Sequence, residues 1–372
     1  MKQQFQNIAA SLADLGIILP LMLGTAIATG MNAGLALAML GLFALANGII
    51  YRRPIPAQPM KVVAALAIVG RLDAPAMAAT GILLGIALLL LGATGLAGRL
   101  KRLVPGTVLY GIQIALAISL AITALPLLGT KLLPAMGLLI VFVLLKRSGY
   151  QTIAFLGVLA ASLLLFGSLP ASSADAPAWT LALPGLVLPN LEAFVAAANH
   201  AFLPQLALTL TNALFLTAVI AQEYYPDDKS RLTENRFALS SGAFNLLLAP
   251  FGAIPMCHGA GGLVAYHAAG GRSGLPVVAL GLGLVAVGVA TGPAAAHYLA
   301  LIPEPAFGVL LLITATYLFD AKKLLRVSPA CRVIIGLVVA AAVFHSMLAG
   351  LAAGIVLELI RSRAGKRFAA RT

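Results

Sequence analysis

Two stretches of this sequence hold residues whose types and spacing could do chemistry: Pro54-Ile55-Pro56-Ala57-Gln58-Pro59-Met60-Lys61 and Ala253-Ile254-Pro255-Met256-Cys257-His258-Gly259-Ala260-Gly261-Gly262. Both stand inside strongly apolar regions, and both are too rich in proline or glycine to be continuous helix. They offer an amide (Gln58), an ammonium (Lys61), an imidazole (His258) and bare backbone at Gly259, Ala260 and Gly261. All of these can donate hydrogen bonds, and none is a carboxylate. The chemistry they suit is capture of an anion.

That capture needs helix ends. A helix N-terminus carries about half a positive charge and several unpaired N–H donors, so two of them facing a common point bind an anion with few basic side chains. Pro54, Pro56 and Pro59 break any helix entering from the N-terminal side. The apolar segments that follow the two stretches, Val62 to Val69 and Leu263 to Ala269, fall short of the about 20 residues that cross a bilayer. Each reads as an extended lead-in followed by a half-helix starting at membrane depth. Irregular backbone there is tolerated only where protein buries it or where it lines a cavity, and paired interrupted segments mark a transporter's substrate site.

Lys61 would add a full charge one or two residues into the first half-helix; the plainer alternative is a snorkelling or ion-paired lysine, with Asp14 as the obvious partner. Asp14 is the acidic residue well inside a predicted span. It suits either a coupling-ion site or a structural acceptor that fixes the half-helix, and the second is favoured because an acid beside the site repels an anion. His258 is expected to stay neutral at a helix N-terminus and to donate one N–H to the substrate, with packing as the alternative. His267, His200, His297 and His345 read as structural. Gln205, Thr209, Thr211 and Asn212 supply neutral donors on an otherwise apolar segment, facing a cavity or bonding between helices. Cys257 and Cys331 form no disulfide framework or metal-ligand spacing, so neither a metal nor a cofactor is expected.

The rest of the chain must hold these groups in a membrane. It is 61% hydrophobic and 9% charged with 37 glycines, and its mean hydropathy is +1.03. A soluble domain carries about 25% charged residues. The net charge of +13 is spread over short loops, apart from a cluster at Arg361, Arg363, Lys366, Arg367 and Arg371, which fits a lipid-headgroup anchor and not nucleic acid. Apolar runs predict an all-α polytopic protein of about fourteen elements, at 7–29, 33–51, 59–70 (half), 75–97, 104–124, 132–146 and 151–169, then 203–222, 235–252, 258–269 (half), 273–292, 305–319, 329–345 and 347–361. With both termini in the cytoplasm, 21 of the 24 Lys and Arg fall on that side. Asp14 to Pro56 spans 42 positions and Asn212 to Pro255 spans 43. An odd number of crossings per half inverts the second copy, giving a seven-plus-seven inverted repeat.

Pro56-Ala57-Gln58-Pro59-Met60-Lys61, Pro255-Met256-Cys257-His258-Gly259-Ala260-Gly261-Gly262, Leu203 through Ala213, Ala13-Asp14-Leu15-Gly16 and Gly111-Ile112-Gln113 together resemble the molybdate-transporter family. That family is related to the sulfate permeases but lacks their C-terminal regulatory domain. The resemblance implies the uracil-permease-type fold. A core domain would comprise residues 1–102 and 203–293, a gate domain 103–169 and 294–361, with an extracytoplasmic linker at 170–202 and a basic cytoplasmic tail at 362–372. It further implies an oxyanion between half-helices 3 and 10 in contact with helices 1 and 8, Gln113 as a gate-domain contributor, and a homodimer through gate helices. The location implied is a plasma membrane of the bacterial inner-membrane kind. The chain departs from the family pattern at Tyr266-His267-Ala268, Tyr110 and Ile17, beside the site, so molybdate, tungstate and sulfate all stay open as substrates. The expected function is secondary-active transport of such a dianion, most simply molybdate, by alternating access with ion symport; a passive anion channel is the alternative. An enzyme would need paired carboxylates or a metal cluster, which the eleven acidic residues do not offer inside the spans.

Overall fold

Helix boundaries follow local chemistry. In the computed structural model, which describes residues 10–68, 70–129, 131–147, 151–166, 185–299, 301, 303–319 and 321–369, the first half contains α1 (Leu15–Thr29), α2 (Ala33–Tyr51), α3 (Lys61–Ile68), α4 (Ala74–Ala93), α5 (Gly106–Gly129), α6 (Leu132–Arg147) and α7 (Gln151–Phe166). The second contains α8 (Leu191–Tyr224), then α9 (Glu234–Leu248), α10 (Ala260–Ala268), α11 (Leu275–Thr291), α12 (Glu304–Leu318), α13 (Pro329–Phe344) and α14 (Met347–Ala369). Short helices connect some of these. Side chains cap the starts: Asn32 accepts from the Leu35 N–H at 3.0 Å, and Asp73 accepts from Ala76 at 2.9 Å. Gly30, at φ +65°, ends α1 in the left-handed conformation that glycine adopts without strain.

Most predicted elements are found within a few residues of their expected bounds, and three corrections have physical causes. Asp14 is not inside a continuous helix: a single 3₁₀ turn (Ala10–Leu12) precedes it and α1 begins at Leu15. Residues 7–9, where that helix was expected to start, lie outside the described residues. Second, α8 begins at Leu191, not 203, so the last twelve residues of the expected linker are helical. A π-helical turn over Ala197–Phe202 precedes Pro204, and its wider winding accommodates the missing N–H and the ring. Third, 75–97 is α4 followed by a separate helix, Leu96–Arg102, entered through Gly95 at φ +71°.

The two halves interlock. α2 packs on α11 and α4 packs on α9, so that the second element of each half meets the fourth of the other. The α2–α11 contact is a seam of glycines spaced by seven, Gly34, Gly41 and Gly48 against Gly288, Gly281 and Gly274. A Cβ on Gly41 would lie 2.7 Å from the Gly281 carbonyl oxygen, and one on Gly281 would lie 2.7 Å from that of Gly41. The backbones therefore touch. A second body forms where α5 packs on α12 and α13, and α13 on α14. Among the described residues six helices are long and apolar enough to span a membrane, the first counted from Ala10 through Thr29. Leu133, Leu164 and Phe344 are 82%, 84% and 90% exposed, which suits lipid as the surrounding solvent.

Gly281→Val is expected to force the seam apart, at a cost of about 1–3 kcal/mol or more, and to lower the thermal midpoint of the purified protein in detergent. Gly283, two residues away and with open space around its Cβ position, should accept alanine with a gain of about 0.5–1 kcal/mol. Equal midpoints for the two variants would contradict the seam.

Candidate functional site

The two proline- and glycine-rich stretches meet at the centre of the α1–α4 and α8–α11 group. Gln58–Pro59 (β1) and Met256–Cys257 (β2) form a two-rung antiparallel ladder, with Gln58 opposite Cys257 and Pro59 opposite Met256. The Met60 N–H adds a bond to the Pro255 carbonyl at 2.7 Å. α3 starts at Lys61 and α10 at Ala260, each three residues after its rung. The half-helices are therefore separate from the helices before them and begin side by side, as the sequence predicts.

Two asparagines hold this arrangement, and sequence reasoning missed both. Asn245 of α9 donates to the Met256 carbonyl at 2.6 Å and accepts from the Met256 N–H at 2.7 Å. Asn47 of α2 donates to the Pro56 carbonyl at 3.3 Å. Both are buried, and they occupy related places in the two halves. The signal available was an amide in an otherwise apolar helix about ten residues before each break.

The two helix tips differ in what faces them. At α3, the Gln205 side-chain oxygen accepts from the Val62 N–H at 2.9 Å, while its amide nitrogen donates to the Thr209 hydroxyl at 3.0 Å. Gln205 is a cap that joins α8 to α3. At α10, the N-cap is Gly259 and no side chain caps the first turn. Gln58 lies against this tip: a Cβ on Gly259 would overlap the Gln58 Oε1, and one on Gly262 would stand 2.5 Å from both Gln58 Nε2 and Asp14 Oδ2. Gln58 Nε2 donates to Asp14 Oδ1 at 2.6 Å. Glycine at 259 and 262 is required by this close approach.

Several buried polar atoms around the α10 tip have no hydrogen-bond partner among the described residues. They are Asp14 Oδ2, Lys61 Nζ, the Tyr266 hydroxyl and Asn212 Oδ1. Lys61 Nζ makes no direct bond to Asp14. Gln58, not Lys61, is the bonded partner of Asp14. Thr211 bonds back to the Ala207 carbonyl at 3.0 Å, and Thr209 to Leu216 forms a π-helical segment; such wide turns recur at functional sites. Gly259, Ala260 and Gly261 present backbone at the tip, as expected.

His258, expected to donate to a substrate, is bonded within the protein. Its Nδ1 lies 3.0 Å from the Pro56 carbonyl oxygen and its Nε2 lies 2.8 Å from Ser240 Oγ, which in turn is 2.7 Å from the Tyr51 hydroxyl. The ring is packed against Phe43 and Phe237 at 5.3 and 4.9 Å between centroids. Both ring nitrogens are engaged by protein, so the side chain braces the ladder from behind instead of donating into the site. Gln113 lies apart from this centre, on α5, in the wall of a cavity of about 550 Å³.

Comparison with known proteins gives a consistent result. The family described as "Molybdate transporter of MFS superfamily" matches residues 6–120 and 197–318. Molybdate transporter 2 of Arabidopsis thaliana is 28% identical, over 85% of this chain and 78% of its own length. Molybdate transporter 1 of Chlamydomonas reinhardtii is 24% identical, over 86% and 84%. Among solved structures, the transmembrane domain of a cyanobacterial bicarbonate transporter, BicA, aligns with a TM-score of 0.62 at 20% identity, over 93% of this chain and 97% of that one. The murine anion transporter Slc26a9 in its inward-facing state aligns at 0.66 and 13% identity, over 97% and 68%. At those identities the structures establish the fold.

Asn245→Ala is expected to strand the Met256 N–H and carbonyl in the core, costing about 2–4 kcal/mol, and to lower the thermal midpoint. His258→Ala should act the same way by removing the brace. A change in ligand affinity without loss of stability would instead return His258 to the site.

Proposed function

Because this chain belongs to the molybdate transporter family, we propose that it carries a tetrahedral oxyanion, molybdate first, across a plasma membrane of the bacterial inner-membrane kind. The observation that supports this reading is the uncapped α10 tip, faced by a buried amide, an unpaired ammonium and a carboxylate. A dianion placed there gains the amide N–H groups of Ala260 and Gly261, the helix dipole and the charge of Lys61. Gln58 occupies the same space, with its carbonyl oxygen turned to the tip, so the anion takes over a place now filled by a neutral acceptor. Asp14 sets the position of Gln58. An acid so near a dianion favours uptake together with a cation, because a bound proton or sodium ion removes the repulsion.

Transport proceeds by alternating access. The α1–α4 and α8–α11 group is the core that carries the anion, and α5–α7 with α12–α14 is the gate against which it moves. The distribution of basic loops supports an orientation with both termini and the end of α8 on the cytoplasmic side. Helix tips read charge and shape more than the central atom, so tungstate and sulfate are the natural competitors.

Binding of molybdate, tungstate and sulfate to the purified protein, alongside uptake into proteoliposomes with and without a proton or sodium gradient, tests the reading. Lys61→Met should weaken molybdate by about 10- to 100-fold, the worth of a charge-assisted hydrogen bond of about 1.5–3 kcal/mol. Asp14→Ala should weaken it by freeing Gln58, while Asp14→Asn keeps the acceptor and retains binding but loses dependence on the ion gradient. Flux that never saturates would favour a channel, and wild-type binding by both Lys61→Met and Gln58→Ala would refute the site.

A further inference from the structure

About one helical turn beyond the site, the same face of the core opens into a second polar space. On α8, Asn212 and Leu216 are four residues apart, roughly 6 Å along the axis, and Leu216 is in the wall of the 550 Å³ cavity. The cavity separates α8 from α5 and α13, so each of the two helix groups supplies one side of it. Its polar lining is Lys101, Arg102, Thr107, Tyr110, Gln113 and Lys323, and no acidic side chain is in its wall.

The charges around this wall are unequal. Lys101 is paired with Glu234 at 3.1 Å, and Arg102 makes no ion pair among the described residues. Lys323 stands 5.1 Å from the centre of the Tyr110 ring and 3.8 Å from the largely exposed Glu223. A third acid beside the wall, Glu358, accepts from Thr107 at 3.4 Å, but both its oxygens are taken by Arg361 at 2.8 Å, which leaves Arg102 as the wall cation outside these pairs. The cavity therefore keeps a positive balance, and low-dielectric walls strengthen such a field. Gln113 lies about one turn further along α5 than Tyr110 and lines the same cavity.

We propose that this vestibule is a second anion site, at which Arg102, Lys323 and Gln113 hold a tetrahedral dianion between the helix tips and the aqueous phase on the basic face. The proposal rests on the reading of the chain as an oxyanion carrier. Two properties follow. The site sets the apparent affinity for the anion arriving from the basic face, because a partly hydrated dianion is concentrated there before it reaches α10. It also gives accumulated anion a place to lodge between α8 and α5, wedging apart the groups that must slide and slowing further uptake.

The test uses the full-length protein in right-side-out and everted vesicles with molybdate as the probe. For Arg102→Gln/Lys323→Gln, the half-saturating molybdate concentration measured from the basic face should rise about tenfold. The rise should exceed any change from the opposite face, and it should shrink in high salt. Inhibition of uptake by molybdate loaded on the basic side should fall with it. The charge-keeping pair Arg102→Lys/Lys323→Arg should restore both. If the double variant fails to fold, Arg102→Gln alone, at an exposed position, carries the comparison with a shift of about threefold. No shift, or an equal shift from both faces, overturns the vestibule while leaving the central site standing. A wild-type protein that neither binds nor moves molybdate, tungstate or sulfate overturns both.

Discussion

Backbone broken inside the packed interior is the constraint on which the rest of this structure depends. Two half-helices expose N–H groups where no water can satisfy them, and each orphan costs several kcal/mol in hydrocarbon. The chain answers with a ladder of only two rungs, which is too short to be stable alone. Asn245 therefore clamps Met256 on both its N–H and its carbonyl, Asn47 reaches Pro56, and His258 ties the Pro56 carbonyl to Ser240 and Tyr51. Apart from His258, which follows the second rung, these side chains come from α2 and α9, the two elements preceding the breaks. The same helices carry the close backbone packing against α11 and α4. Satisfaction of the broken backbone and rigidity of the surrounding group thus have one origin.

An inverted repeat would make the two tips alike, and the difference between them is where a charge can be placed. Gln205 spends its side chain on the α3 tip, whereas Gly259 and Gly262 leave the α10 tip bare. Lys61 and Asp14 are buried nearby with unpaired atoms. Burial of opposite charges without direct bonding costs more in lost hydration than attraction returns. Stability gives no reason to keep such a pair; a charged guest does.

Much of the architecture was legible in the sequence because membrane helices declare themselves by length and because proline and glycine mark their ends. Pro56, Pro59 and the glycines at 259–262 located the half-helices to within two residues at their starts. What could not be read depends on contacts distant in sequence. Asp14 carries no helix-breaking signal; its break is set together with Gln58, forty-four residues on. The helical residues before Leu203 were not legible because a π turn leaves no mark in composition. His258 occupies the expected position, yet the direction its ring takes is decided by Phe43, Phe237 and Ser240 on other helices. The asparagines failed to stand out for a different reason: a lone amide in an apolar helix serves equally well as a helix-to-helix bond or a substrate contact.

Where such a protein can move follows from where its backbones touch. Across α2–α11 and α4–α9 the approach is so close that a Cβ at Gly34, Gly85 or Gly242 would fall within 3 Å of a neighbouring backbone atom. A packed seam of that kind has no second arrangement nearby, since sliding it by a fraction of a turn drives side chains into main chain. The α5–α13–α14 group interlocks through Gly111 and Gly354 against the Val338 and Val108 side chains, and through Gly350 against the Val338 carbonyl. Between the groups the contact is interrupted by open space. α8 meets α5 beside a cavity, and α12 touches α1 and α10 through side chains such as Leu310 against Gly16. Rigid groups meeting at a partly open boundary allow shear there and almost nowhere else. The uncapped α10 tip belongs wholly to one group, so a displacement along that boundary carries the site intact instead of taking it apart.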